Sequence, residues 1–514
     1  MTSYRSGRPL LQSYDWKLVF IYIALIFFGW LNIYASIHGG DNIGILDFSV
    51  NSGKQFIWIL TALGLGSLII FLIPTNLWES GAGLMYIMVL FLLVAVIFLG
   101  VEVKGSRSWF SIGPIRFQPA EISKITTSLL IAFVMSRPGF KLSKISNFLL
   151  VAAIIALPML VILGESETGS ALVYVGFIFV LYREGLSGWL ITLIGVAILI
   201  FILTLTTSPY TAIIALLGII AAGNSLNHRK SLQWLLYAVA GLTFLSFIPQ
   251  MWTALQNALI PGLGDAALNA EAGEEAVAAA QALAADASPW GFLYAVKPLY
   301  ILLGMIGIAA PFVLFYAFKY KDSFAGVSTL TMIAGIMMVF SVDFIFYNIL
   351  QDHQRKRIEV LLGMKEDPSG VGYNVNQSMI AIGSGGLTGK GYLNGTQTTY
   401  GFVPEQSTDF IFCTVGEEWG FLGCAAVIAL YVSLIWLITK DAEHSRESFT
   451  RIYGYCLASC LFMHLFINIG MTVGIMPVIG IPLPFMSYGG SSLWAFTIML
   501  AIFIALDHQE KKYF

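Results

Sequence analysis

The sequence predicts an all-α polytopic membrane protein with about fourteen transmembrane helices. Of its 514 residues, 57% are hydrophobic and only 11% are charged, and the mean hydropathy is +0.81. Many of its apolar runs approach the roughly twenty residues that an α-helix needs to cross about 30 Å of hydrocarbon. This combination excludes a soluble globular protein.

The predicted spans are apolar runs bounded by charged residues or by clusters of glycine and proline. The N-terminal stretch MTSYRSGRPLLQSYDWK is polar and basic for too long to be a short cleavable signal, so the first run is expected to be a retained span. In chain order the predicted spans are residues 16–36, 55–73, 83–101, 119–136, 146–164, 169–184, 187–206, 209–223, 231–249, 297–318, 325–349, 408–438, 452–475 and 490–507.

Net charge and cysteine content limit the classes of function. The formal net charge is −2 and the basic residues are scattered, so no nucleic-acid partner is expected. The four cysteines lie inside apolar segments without paired spacing or neighbouring histidines, which favours small buried hydrophobes over a disulfide framework or a metal site. They are Cys413, Cys424, Cys456 and Cys460.

The positive-inside rule orients the chain. With a cytoplasmic N-terminus, the remaining inner loops are short and basic, and both termini are expected in the cytoplasm. The outer face then carries cations against the rule, most of them in two loops. Binding an anion is one reason for them, and ordinary solvated loop charge is the other. These outer cations are Lys54, Lys104, Arg107, Arg116, Lys124, Lys297, Arg355, Lys356, Arg357, Lys365 and Lys390.

The first polar stretch of the outer face is VKGSRSWFSIGPIRFQPAEISK. Arg107 and Arg116 flank Trp109, while Glu121 and Lys124 enter the next helix three residues apart and so share a helical face. The charged pair is either structural or shapes a cavity for an anionic substrate, and Trp109 is either a site residue or an interfacial anchor.

The second stretch, GESETGSA, places Glu165 and Glu167 at the outer end of a helix. Two roles are open for them. They cap the helix that begins at Thr168, or one of them faces the cavity.

The third stretch covers residues 352–410 and combines a cationic run with glycine and amide side chains. Guanidinium and ammonium groups hold phosphate, and amides bond hydroxyls, so the stretch suits a sugar diphosphate. Its segment GSGGLTGKG is not a P-loop, because Ser384 stands where the first glycine belongs and Gly391 follows Lys390. We expect a glycine-rich turn between helices.

The fourth stretch is NIGMTVGIMPVIGIPLPFMSYGGSS. Pro477, Pro482 and Pro484 interrupt any helix, and irregular backbone at membrane depth is tolerated only against protein or a water-filled cavity. A re-entrant segment that lines the same cavity is expected.

Residues 263–288 differ from the rest of the chain, because they are rich in alanine, carry acidic side chains and lack basic ones. They read as a short amphipathic helix outside the membrane or as a flexible acidic loop. A spacer or a docking surface would fit this composition.

Four blocks of the sequence together resemble the SEDS family (shape, elongation, division and sporulation). They are GSRSWFSIGPIRFQPAEISK, DPSGVGYNVNQSMIAIGSGGLTGKG, FVPEQSTDFIFCTVGEEWGFLG and IGMTVGIMPVIGIPLPFMSYGGSS. The chain departs from the family in two ways. It has about five spans where the family has one, and Glu167 stands where an aspartate is typical.

The resemblance implies a ten-helix core with four inserted helices. Residues 1–206 form the N-terminal part of the core, 207–325 the insertion with its acidic loop, and 326–514 the C-terminal part with a large catalytic outer loop at 350–408. Four added helices preserve the orientation of the C-terminal part, so the site is expected at the outer face of a bacterial cytoplasmic membrane.

The resemblance also implies a peptidoglycan glycosyltransferase that polymerises lipid II into glycan strands during cell elongation, together with a class B penicillin-binding transpeptidase. Asp367 matches the carboxylate on which the family's catalysis depends, and Asp352 is a second candidate. A divalent cation, Mg²⁺ or Mn²⁺, is an expected cofactor, without assigned ligands. The expected substrate-binding residues are Arg107, Trp109, Arg116, Glu121, Lys124, Arg355, Arg357, Tyr373, Gln377, Lys390, Glu405 and Ser487.

A flippase or exporter of a lipid-linked cell-wall precursor is the alternative function, because a polar cavity among many helices serves either role. A transporter should also line a path to the inner face. The polar stretches of this chain concentrate at one face, which favours chemistry there.

Overall fold

The computed structural model describes residues 14–38, 44–103, 106–113, 115–228, 239–248, 251, 297–321, 323–350, 352–362, 364 and 371–513. The described residues are mainly helical, and nine of their helices are long and apolar enough to cross a membrane. The predicted fold class, a polytopic α-helical membrane protein, is confirmed.

The described residues up to 228 contain nine helices and three short strands. They are α1 (Trp16–Ala35), α2 (Asn51–Leu72), α3 (Asn76–Leu99), β1 (Val101–Val103), β2 (Ser106–Ile112), β3 (Ile115–Phe117), α4 (Pro119–Met135), α5 (Ile145–Gly164), α6 (Thr168–Val173), α7 (Phe177–Arg183), α8 (Gly188–Thr206) and α9 (Pro209–His228). A 3₁₀ turn, Tyr174–Gly176, joins α6 to α7.

A further helical segment, Val239–Ile248, comes next in the described residues. The later elements are α10 (Pro298–Tyr320), α11 (Ser323–Asn348), α12 (Asp352–Leu361), α13 (Val371–Ser384), α14 (Thr396–Thr399), α15 (Ile411–His444), α16 (Ser448–Thr472) and α17 (Gly490–Tyr513).

Local sequence explains where several helices begin. The Asp15 carboxylate accepts a hydrogen bond of 2.9 Å from the Lys17 amide and so caps α1. Pro119 and Pro298 occupy the first turns of α4 and α10, where a missing N–H costs nothing. Helix α3 begins at Asn76, earlier than its apolar run at residue 83, because its first turns are polar.

The strands β1, β2 and β3 form a small antiparallel sheet, which the sequence pattern did not predict. Alternation along β2 buries Ser106 and Ser108 and exposes Arg107. The first polar stretch of the sequence therefore folds as antiparallel strands that lead directly into α4.

The chain divides into two compact units, and the first combines Met1–Ile191 with Lys356–Phe514. Its core is assembled from both ends of the chain, with buried residues such as Leu25, Leu129 and Phe503 in one cluster. Helix α2 packs along α17, and α16 packs against α4 and α15.

The second unit, Thr192–Arg355, has its own smaller apolar cluster around Leu216, Leu302 and Val339. Two cavities of about 190 and 380 Å³ in this unit are lined almost entirely by apolar side chains of α9, α10 and α11. Such walls suit lipid tails better than a diphosphate. The predicted insertion, residues 207–325, falls in this unit, and its acidic segment 263–288 lies outside the described residues.

Between α16 and α17, residues 473–489 contain no regular helix, and several of their side chains are buried. Phe485 adopts a φ of 69°, in the left-handed region that is rare for a bulky residue. The prediction of irregular backbone in this stretch is confirmed, and we call residues 473–489 the re-entrant segment.

Candidate functional site

A buried ion pair joins two residues of α4. Lys124 Nζ lies 2.7 Å from Glu121 Oε1, and the two side chains are only 1% and 3% exposed, so the predicted pairing is confirmed. The Lys124 ammonium also lies 2.9 Å from His464 Nε2 of α16 and 5.3 Å from the centre of the Phe496 ring. Ions so deeply buried are expensive unless they are paired, as these are. Glu121 Oε2 has no hydrogen-bond partner among the described residues.

The re-entrant segment is held through its carbonyl groups by side chains of neighbouring helices. Asn468 Nδ2 donates to the Ile481 carbonyl at 2.7 Å, His464 Nδ1 lies 3.0 Å from the Pro482 carbonyl, and the Tyr431 hydroxyl donates to the Pro484 carbonyl. Backbone groups without helical partners are costly inside a membrane, and these bonds satisfy them.

The same segment contacts the helix that carries two predicted substrate-binding residues. Gly474 of this segment lies against side chains of α13. Just before the segment, the carbonyl of Thr472, the last residue of α16, accepts a hydrogen bond of 2.9 Å from the hydroxyl of Ser378 in α13. Tyr373 and Gln377 belong to α13. Ser487 is buried at the other end of the re-entrant segment, where its Oγ accepts a hydrogen bond from the Leu483 amide.

The hairpin before α4 carries the other predicted residues of the first stretch. Arg107 is exposed and lies 3.5 Å from Glu102, and Trp109 is half-buried. Arg116 is exposed, and its carbonyl accepts a hydrogen bond of 3.1 Å from the Ser491 hydroxyl at the start of α17. Both arginines thus lie on strands of the first unit.

Two carboxyl groups lie beneath this hairpin. Ser108 Oγ donates to Glu167 Oε1 at 2.7 Å, so Glu167 binds the hairpin rather than capping the helix that begins at Thr168. Glu165 is 3% exposed. Burial, together with the nearby charge of Glu167, raises the pKa of Glu165 to about 8.

Glu417 of α15 anchors the loop of residues 390–398, and the sequence analysis did not single it out. Its buried carboxylate accepts hydrogen bonds from Lys390 Nζ at 2.6 Å and from the hydroxyl of Thr396 at 3.2 Å. It also accepts from the amides of Gln397 and Thr398 and from the Thr398 hydroxyl. Two adjacent glutamates inside a predicted span, residues 408–438, were the available signal.

Helix α15 breaks at Gly420, whose φ of 63° and ψ of −160° are not helical. Backbone groups freed by the break pair with the glycine-rich turn, since Phe421 N donates to Gly386 O at 2.9 Å and Gly391 N donates to Glu418 O at 3.0 Å. A side chain at Gly389 would place its Cβ 2.1 Å from the Glu418 carbonyl. The predicted turn is confirmed, and the close approach explains its glycines.

The remaining predicted residues belong to the third polar stretch, residues 352–410. Glu405 is exposed, with a φ of 55°, and accepts a hydrogen bond of 3.0 Å from the Thr408 hydroxyl. Arg355 belongs to the second unit and lies 3.3 Å from Asp352. Asp367 and the side chain of Arg357 lie outside the described residues.

The structure therefore connects Glu121, Lys124 and Ser487 to one buried region and fixes Lys390 through Glu417. Among the described residues, no three His, Cys, Asp or Glu side chains are grouped to hold a metal ion. The residue of the buried region that sequence analysis missed is His464, a single histidine within an apolar run.

Known families and proteins resemble this chain along most of its length. The family FTSW_RODA_SPOVE, described as cell cycle protein, matches residues 16–220 and 303–512. The chain is 28% identical over 500 residues to the peptidoglycan glycosyltransferase MrdB of Escherichia coli K12, covering 97% of this chain and 94% of that protein. It is 27% identical over 507 residues to the peptidoglycan glycosyltransferase RodA of Treponema pallidum, covering 97% and 98%.

A solved structure described as a peptidoglycan synthase complex that coordinates polymerization and crosslinking has a similar fold. Its TM-score is 0.56 at 20% identity, with 97% of this chain and 98% of that chain covered. The family match leaves residues 221–302 unmatched, and these lie within the predicted insertion.

Proposed function

The chain belongs to the FtsW/RodA/SpoVE family of cell cycle proteins, the family that its four sequence blocks indicated, and we propose that it is a peptidoglycan glycosyltransferase that polymerises lipid II. The observation that carries the proposal is similarity along nearly the whole chain to relatives named peptidoglycan glycosyltransferase. The resemblance to RodA-type members favours a role in elongation and cell shape.

The proposed reaction extends a glycan strand by one disaccharide. The 4-hydroxyl of a GlcNAc attacks C1 of a MurNAc, a C–O bond forms there, and the bond from C1 to undecaprenyl diphosphate breaks. The carboxylate of Asp367 takes the hydroxyl proton as general base. This assignment rests on the DPSGVGY motif that contains the residue.

Fixed cations offset the negative charge that grows on the departing diphosphate. Arg107 and Arg116 are exposed on the hairpin, and Lys390 is held by a buried carboxylate with its side chain 26% exposed. A divalent cation would add to this stabilisation, and we propose Mg²⁺ or Mn²⁺ as that cofactor.

The proposed location is a bacterial cytoplasmic membrane, with both termini in the cytoplasm and the site at the outer face. Loop charges support this orientation. A class B penicillin-binding transpeptidase is the proposed partner, and a similar fold in a complex that coordinates polymerization with crosslinking supports the pairing.

The test is an assay of the purified full-length chain with its transpeptidase partner on fluorescently labelled lipid II. We expect a ladder of glycan polymers that Asp367→Ala abolishes. Absence of polymer, together with translocation of labelled lipid II across the membrane of vesicles that contain the protein, would contradict the polymerase function and favour the exporter function.

A further inference from the structure

His464 lies in the middle of α16 and is 1% exposed. Its two ring nitrogens contact groups of opposite character, the Lys124 ammonium at 2.9 Å and the Pro482 carbonyl at 3.0 Å. An ammonium only donates a hydrogen bond, and a carbonyl only accepts one. The assignment that satisfies both is a neutral imidazole that accepts at Nε2 and carries its hydrogen on Nδ1.

The chain of hydrogen bonds continues through the peptide group that joins Pro482 to Leu483. While His464 holds the carbonyl of this group, its N–H donates to Ser487 Oγ at 2.8 Å. Ser487 N in turn donates to the Leu483 carbonyl at 2.9 Å, which closes a tight turn. The peptide group is therefore fixed at both ends.

The direction of these hydrogen bonds leaves the hydroxyl group of Ser487 able to donate. Ser487 Oγ is the acceptor in its bond with the Leu483 amide, and this is the hydrogen bond that the oxygen makes within the described residues. Its hydroxyl hydrogen is consequently available to donate, as a residue that recognises a sugar hydroxyl or a phosphate oxygen must.

We infer that His464 is a positioning residue that links the buried Glu121–Lys124 pair to the re-entrant segment and thereby sets the place of Ser487. The inference rests on the proposed function, because it assigns the segment to the polymerase site. Hydrogen-bonded groups in a low-dielectric interior polarise one another, so loss of His464 from the middle of the series weakens the other hydrogen bonds in it.

Loss of the imidazole should leave the protein folded. The carbonyls on either side of Pro482 have separate donors, Asn468 for Ile481 and Tyr431 for Pro484. Removing His464 releases one carbonyl of an irregular segment that includes the strained Phe485, while the flanking attachments stay.

The plain alternative is that His464 is a satisfied core residue with no bearing on the site. Three variants separate the two explanations. His464→Ala removes both bonds, and His464→Asn places an amide donor near the position of Nδ1 and preserves the bond to Pro482. His508→Ala is the matched control, since His508 lies on α17 and stacks on Tyr14 with the ring centres 3.7 Å apart.

We expect His464→Ala to lower kcat/KM for lipid II by about tenfold, the equivalent of one lost hydrogen bond, because the Pro482 carbonyl loses its donor. His464→Asn keeps that donor and should stay within about threefold of wild type. Hydrogen exchange of residues 473–489 should be faster in His464→Ala than in wild type and unchanged in His508→Ala. Wild-type exchange in His464→Ala, or equal activity of the alanine and asparagine variants, would overturn the inference.

A double-variant cycle tests the link to Ser487. If the two residues act through one chain, His464→Ala combined with Ser487→Ala should be within about twofold of the more severe single variant. Losses that multiply would show independent action and overturn the inference. If the wild type made no polymer, the proposed function would fall, whereas the exchange measurement would still decide the positioning.

Discussion

The Lys390 ammonium lies 2.6 Å from the Glu417 carboxylate, and this pair anchors the loop of residues 390–398 to α15. The carboxylate is fully buried and accepts hydrogen bonds from five donor groups of residues 390–398. One side chain of α15 therefore fixes both the loop and the direction of its cation.

Replacing Glu417 by alanine should destabilise the protein strongly, because it leaves Lys390 and several loop donors without their acceptor. Removing one partner of a buried pair costs about 3–5 kcal/mol. Thermal unfolding in detergent would measure the loss. Glu443→Ala is the control on the same helix, since its pair with Arg183 is exposed and should contribute about 0–1 kcal/mol. Equal losses in both variants would contradict the anchoring role.

Asp367→Asn and Asp367→Ala should reduce glycan polymerisation by about 10²- to 10⁴-fold, because neither side chain accepts the hydroxyl proton at neutral pH. Polymer length and rate on labelled lipid II provide the measurement. Both variants should unfold at the wild-type temperature. Polymerisation near the wild-type rate would remove Asp367 from the mechanism and turn attention to Asp352.

Arg107→Ala and Arg355→Ala should each weaken lipid II binding by about tenfold or more, because a hydrogen bond to a charged group contributes roughly 1.5–3 kcal/mol. Arg137→Ala is the control, because Arg137 lies in a loop predicted to be cytoplasmic and its guanidinium is 4.7 Å from the Phe133 ring. Fluorescence titration of the detergent-solubilised protein would give the three affinities. Three equal losses would indicate general damage to the fold.

The pKa of Glu165 predicts a pH-dependent stability. Its folded-state pKa, about 8, is above the ordinary 4.5, so the folded protein holds a proton that the unfolded chain releases. Stability should therefore fall as pH rises from about 4.5 to about 8 and level off above that. Glu165→Gln should unfold near the wild-type temperature at pH 5 and above it at pH 8. Glu79 is exposed, so Glu79→Gln should unfold near the wild-type temperature at both pH values. The same gain at pH 8 in Glu79→Gln would exclude Glu165 as the cause.

Deleting Ala270 to Ala285 and closing the gap with a short Gly/Ser linker should leave polymerisation of lipid II within a few-fold of normal. The deleted stretch contains Glu271, Glu274 and Glu275 and no basic residue, so it would repel a diphosphate. Binding of labelled lipid II to the solubilised variant is the decisive measurement. Loss of binding would make the acidic loop part of the site.

Apolar runs, and the charged, glycine or proline residues that bound them, located most of the helices. The thickness of the bilayer sets the length of a spanning helix, and the apolar runs have that length. Helix ends were harder, as at Asn76, where polar turns extend the helix beyond its apolar run. The β1–β3 hairpin was missed because its strands are short and interrupted by a turn. The ion pair of Glu121 and Lys124 was predictable from spacing within one helix.

Contacts between distant parts of the chain were not predictable in the same way. Glu417 reaches residues 19 to 27 positions earlier, and His464 reaches a lysine 340 positions away. A single polar residue within an apolar run shows that a partner is needed but does not name it. The sequence therefore indicated the charged components of the site and missed the residues that hold them.

The packing of α2 against α17 has a consequence for biosynthesis. Trp494 Nε1 donates to Thr61 Oγ1 at 3.0 Å across 433 positions of the chain, and Gln55 accepts from the Gly489 amide. At about 5–20 residues per second, a ribosome needs roughly 20–90 s to make the chain between them. Helix α2 thus enters the bilayer long before its partner exists, and for that time Gln55, which becomes a buried polar residue, lacks the neighbour that will cover it. Membrane chaperones or quality-control proteases would therefore act on this protein during the interval between the synthesis of α2 and that of α17.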